Sequence, residues 1–94
     1  MSMTDWNALP AGATEEVDDN GADVQVHRAK DDVFVIRRFF DGAWQDTVWV
    51  RQVGVGWGVS RALGVLGTPA DDLLAAIAEG IIRSREAVRN LRSQ

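Results

Sequence analysis

Val33 to Val50, VFVIRRFFDGAWQDTVWV, is the stretch around which the rest of the chain is placed. Asp41-Gly42 lies between two runs rich in β-branched and aromatic residues. A two-residue type I′ turn needs positive φ at both central positions, which Asp-Gly supplies, so the stretch is expected to be a β-hairpin. With those two residues in the turn, the regular register pairs Phe39 with Trp44, Arg37 with Asp46, Val35 with Val48 and Val33 with Val50. The other face then pairs Phe40 with Ala43, Arg38 with Gln45, Ile36 with Thr47 and Phe34 with Trp49. Side chains alternate across a strand, so a slip of one residue exchanges the two sets. The valine face is expected to form the core. The opposite face mixes Phe34, Phe40 and Trp49 with Arg38 and Arg51, and these five are the candidate binding residues.

Working outward, Asp23 to Arg28, DVQVHR, alternates and reads as an earlier strand, with Arg28 pairing Val33. Beyond the hairpin, Gly54, Gly56 and Gly58 alternate with Val55, Trp57 and Val59, a period-2 pattern that predicts a fourth strand. If Val55, Trp57 and Val59 join the valine face, the glycines lie on the other and leave a shallow groove beside Trp49. Residues 61–67 form an apolar connector. Thr68, Pro69 and Asp71 read as a helix start, with Thr68 as N-cap and Pro69 at the first helical position. Ala70, Leu73, Leu74, Ile77, Ile81, Ser84, Val88 and Leu91 then form one apolar stripe at helical period. Such a helix is ~36 Å long against ~23 Å for a seven-residue strand, so its last turns are expected to overhang the sheet. Exposed Val88 and Leu91, with Ile82 nearby, are the candidate oligomer interface.

The chain has 94 residues and a net charge of −4. The first 23 residues hold six acids and no Lys or Arg, while the remainder carries a slight basic excess. Residues 1–22 are therefore expected to be an acidic, mostly disordered arm before a single domain, residues 23–94. No apolar run is long enough to span a bilayer, and the N-terminus lacks signal-peptide character. With no cysteine there is no disulfide framework, and a cytoplasmic setting is the default. Arginine outnumbers lysine nine to one, which suggests a GC-rich coding source of bacterial or phage type.

Catalytic side chains are scarce: one histidine, one lysine, no cysteine and no tyrosine. A nucleophilic triad needs a base held by a third group, and only His27 supplies an imidazole. The acidic runs at Glu15–Asp19 and Asp31-Asp32 lack EF-hand spacing. Neither an enzyme, a metal site nor a cofactor is expected. Arginine and tryptophan, by contrast, are typical interface anchors.

DVQVHRAKDDVFVIRRFFDGAW, residues 23–44, resembles the first strands of the positive-cofactor-four type of single-stranded DNA-binding domain. That resemblance implies a sheet followed by a helix, dimerisation through the helix, and strand binding on the sheet. The lysine-and-glycine segment of that family is absent here, where the chain reads QDTVWVRQVGVGW. The sequence thus predicts an α+β fold, a four-stranded antiparallel β-meander with one long C-terminal helix. The expected function is a dimeric, non-enzymatic module that binds a protein partner. Single-stranded nucleic acid is the alternative ligand, disfavoured by the acidic balance.

Overall fold

The chain, seen in a computed structural model, is described for residues 5–62 and 67–92, with side chains excepted at 91 and 92. A short 3-10 turn, Trp6–Ala8, leads into β1 (Thr14–Asp19), β2 (Ala22–Lys30), β3 (Val33–Phe40), β4 (Ala43–Val53), β5 (Gly56–Ser60) and β6 (Thr68–Ala70), and α1 (Leu73–Arg92) follows. Each strand pairs antiparallel with the next, in the order β1 to β6. The fold is an antiparallel sheet with one C-terminal helix, as expected, but with six strands rather than four.

Both additional strands correct the sequence reading. β1 lies within the stretch assigned to an acidic arm. It is joined to β2 by Asn20-Gly21, both at positive φ (54° and 87°), a turn of the same kind as Asp41-Gly42 (55° and 79°). Upstream of β1, Trp6 is buried in the core cluster. β6 takes Thr68 and Pro69 out of the expected helix start and pairs them with Val59 and Gly58. The helix instead begins after Asp72, whose Oδ1 accepts a hydrogen bond from Ala75 N at 2.7 Å in the manner of an N-cap.

The hairpin register holds from its turn to Arg37 opposite Asp46 and then shifts. Ile36 faces Val48, Val35 faces Trp49, Phe34 faces Val50 and Val33 faces Arg51. Thr47 is the extra residue of a β-bulge, its Oγ1 donating to Ile36 O at 2.7 Å. A second irregularity between Arg28 and Lys30 makes Lys30, not Arg28, the partner of Val33 and sets Val26 opposite Ile36. Together these shifts exchange the faces of β3 relative to β2 and the lower part of β4. The core face carries Val24, Val26, Val48 and Val50, as expected, but with Phe34 and Ile36 in place of Val33 and Val35.

α1 covers that face. Its buried residues are Leu73, Ala76, Ile77, Gly80, Ser84 and Ala87, a stripe rotated from the expected one toward small side chains. Leu74, expected inward, is 46% exposed. The rotation has a steric cause: a Cβ at Gly80 would overlap Ile36 Cδ1 and sit 3.3 Å from Val50 Cγ2. The helix therefore approaches the sheet through its smallest residues. The expected overhang is also reduced, since Ala87 is still buried and Arg85 reaches Asp19 on β1.

Candidate functional site

Among the described residues, no element covers the sheet face opposite α1. Alternation and pairing place Val35, Arg37 and Phe39 of β3 on that face, beside Trp44, Asp46, Trp49 and Arg51 of β4. His27 and Gln25 of β2 pair with Val35 and Arg37. Thr14 and Glu16 of β1 pair in turn with His27 and Gln25, and Asp18 pairs with Asp23.

The centre of this open face is aromatic and apolar. Phe39 and Trp44 meet edge to face, with ring centroids 5.6 Å apart and planes at 75°. Phe39 is 55% exposed, so much of a large apolar ring stands in water. Trp49 is half-buried, and Val35 opposite it is nearly buried without any helix above it. Between these two apolar rungs Arg37 Nε donates to Asp46 Oδ1 at 2.7 Å, a solvent-exposed pair. Arg51 has no ion-pair partner among the described residues. Glu16, Asp18 and Asp23 form an exposed acidic margin on β1 and β2. Thr14 Oγ1 and His27 Nδ1 lie 2.9 Å apart, which ties the only histidine to a neighbouring hydroxyl.

The five expected binding residues divide between the two faces. Trp49 and Arg51 lie on the open face. Phe34 is fully buried under α1, edge-on to Trp57 at 5.8 Å and below the guanidinium of Arg28 at 4.9 Å. Phe40 is half-buried at the hairpin end, and alternation puts it with Arg38 on the helix side. Arg38 is a structural residue, with Nε donating to Ser84 Oγ at 2.7 Å and Nη2 to Asp19 Oδ2 and to Ile81 O at 3.3 Å. The open face gains Arg37, Phe39 and Trp44, which the regular register had assigned to the core. The Arg37–Asp46 pair was a signal that could have found them, because an ion pair with that much exposure belongs on the wet face.

Asp19 anchors the opposite side of the sheet. Arg85 Nε donates to its Oδ2 at 2.7 Å, alongside Arg38. The hydrogen bond from Arg85, then that from Arg38 and the charges of both, hold its carboxyl down at about 2 against the opposing effect of burial. The same bond raises Arg85 above its ordinary value. Asp19, Arg38, Arg85, Phe39 and Val88 line a cavity of about 440 Å³ at this corner.

Of the candidate oligomer residues, Ile82 is 46% exposed and Val88 is half-buried. The Leu91 side chain lies outside the described residues. Gly56 and Gly58 fall on the open side of β5, but Gly58 is buried opposite Arg51, so the groove is not bare there. The described residues contain no group of three or more His, Cys, Asp or Glu able to hold a metal, and no helix long and apolar enough to cross a membrane.

Both sheet edges are poor templates for another strand. β1 carries four acids in six residues, and β6 is three residues long and contains Pro69. Charge, shortness and proline are the usual devices that block edge pairing. No family model, curated protein or solved structure matches this chain.

Proposed function

We propose that this chain is a small cytoplasmic interaction module, not an enzyme, which engages a protein partner through the open face of its sheet and also forms a dimer. The observation that carries this reading is the uncovered face itself, with Phe39, Trp44 and Trp49 along its middle and charged residues around them. An apolar patch rimmed by polar groups is the usual form of a protein-binding surface. The guarded edges support face-on binding rather than strand addition. The scarcity of catalytic side chains supports a binding role over chemistry. An adaptor, an antitoxin-like factor or an inhibitor would each use such a surface.

The test compares wild type with Phe39→Asp as immobilised baits in an extract of the native cell, with single-stranded oligonucleotides titrated in parallel. The expected result is a protein retained by wild type and lost by the variant, with no oligonucleotide binding near physiological salt. The acidic margin of Glu16, Asp18 and Asp23 repels phosphate. Micromolar oligonucleotide binding that weakens in Trp49→Ala would overturn the reading, since stacking on an exposed aromatic is how such strands are held.

A further inference from the structure

The geometry points to a second copy of this chain as an occupant of the open face, packed sheet on sheet about a two-fold axis that runs parallel to the strands between β3 and β4. This rests on the reading of that face as the working surface and names one partner for it.

The argument comes from the pairing of β3 with β4. A two-fold axis lying between two antiparallel neighbours, in the plane above them, carries each residue over its own cross-strand partner in the other copy. The open-face rungs are Phe39 with Trp44, Arg37 with Asp46, and Val35 with Trp49. Across the proposed interface, Phe39 therefore meets the second copy's Trp44, Arg37 meets its Asp46, and Val35 meets its Trp49. Aromatic lies on aromatic, cation on anion and apolar on apolar, each contact made twice. Such self-complementarity is what an isologous dimer requires.

The margins agree. The same rotation lays acidic β1 and β2 over β6 and β5, whose open-face positions are Gly56, Gly58, Ser60 and Pro69. None is acidic, and exposed Arg61 follows at the end of β5. A two-fold axis perpendicular to the strands would instead stack acidic β1 on its own copy, which like-charge repulsion opposes. Six strands ~4.8 Å apart and about seven residues tall present roughly 700 Å² per copy, close to the ~800 Å² that a standard interface uses on each side. Sheet twist sets the two sheets about 30° from parallel, which keeps the central rungs in contact. A second copy and another protein partner then compete for one surface.

The full chain is weighed by sedimentation equilibrium across the micromolar range, as wild type, Phe39→Asp, Arg37→Asp, Asp46→Arg and an equimolar mixture of the last two. Near-ultraviolet circular dichroism of the tryptophans reports whether each variant is folded, and Phe39→Asp alters a ring already in water. Wild type is expected to be a dimer, and each single variant to dimerise about tenfold or more weakly, since like charges then face each other across the axis or a charge meets an aromatic ring. Mixing Arg37→Asp with Asp46→Arg is expected to restore a dimer containing one chain of each, because each altered residue then meets its opposite. A wild type that stays monomeric, a dimer indifferent to all three variants, or a mixture that fails to recover would each overturn the proposal. A monomer that still loses its protein partner on Phe39→Asp overturns the dimer alone. A monomer whose capture of a partner ignores that change overturns the open-face reading as well.

Discussion

Replacing Asp19 with asparagine removes the charge that holds three elements together, since Asp19 of β1 binds Arg38 of β3 and Arg85 of α1. Lowering its carboxyl from 3.8 to about 2 corresponds to roughly 2 kcal/mol of folding stability as an upper bound, reduced to about 1–2 kcal/mol by the water that screens the Arg85 side of the pair. The variant also strands Arg38, whose side chain is only 8% exposed and keeps just Ser84 Oγ and Ile81 O as acceptors. Breaking a buried pair on one side costs about 3–5 kcal/mol, and the water open to Arg85 places this site at the lower end. Asp19→Asn is therefore expected to lose about 2–4 kcal/mol near neutral pH, measured by urea denaturation with an unchanged slope. Because the folded carboxyl titrates below its unfolded value, its contribution is full above the unfolded pKa of 3.8 and is lost as pH falls through about 2. Wild type and variant should thus converge in stability toward about pH 2, where wild-type Asp19 is becoming protonated. The other carboxyls affect both chains alike, so the difference isolates this one. A gap below about 0.5 kcal/mol at neutral pH, or one that stays constant into acid, would refute the reasoning.

Other substitutions probe the layer between helix and sheet. Gly80→Ala pushes a methyl into Ile36 Cδ1, the flexible end of a side chain; overpacking of about 1–3 kcal/mol, less about 1 kcal/mol of helix propensity, predicts a net loss of about 0–2 kcal/mol in denaturant melts, and Gly80→Leu should prevent folding. Val48→Ala and Ile77→Ala, both fully buried, should each cost about 1–4 kcal/mol by the same measurement. Asp72→Ala should cost about 1 kcal/mol with a small loss of helical circular dichroism, whereas Thr68→Ala should leave helicity intact because Thr68 belongs to β6.

The elements most legible in the sequence were those with a local cause. Asp41-Gly42 specified its turn and the four rungs nearest it, and the long amphipathic run specified a C-terminal helix. Asn20-Gly21 carried the same turn signal, but β1 buries little apolar area beyond half-buried Val17, so its alternation was masked by acids. Thr68-Pro69-Ala70-Asp71 has the chemistry of a helix start, yet pairing with β5 outweighed it, and Asp72 served as the cap one turn later. The candidate site was read less well because β3 is apolar on both sides. Phe34 and Ile36 compete with Val33 and Val35 for the core, and the bulge at Thr47 together with the irregularity between Arg28 and Lys30 decides between them. A bulge depends on one hydroxyl meeting one carbonyl across the ladder, which periodicity does not encode. Trp49 and Arg51 lie on the open face, while Phe34 and Arg38 exchange sides with Phe39 and Arg37.

The meander has a consequence for how the chain acquires its shape over time. Every strand pairs with the one made just before it, so the sheet can grow rung by rung through short loops, a topology that favours fast folding. The helix that seals the core follows all six strands. Until it docks, the apolar wall of Val24, Val26, Phe34, Ile36, Val48 and Val50 has no roof, and a chain stopped before Leu73 would present that wall to other nascent chains and to chaperones. Damage to the last quarter of the sequence should therefore be felt as aggregation rather than as loss of a peripheral helix.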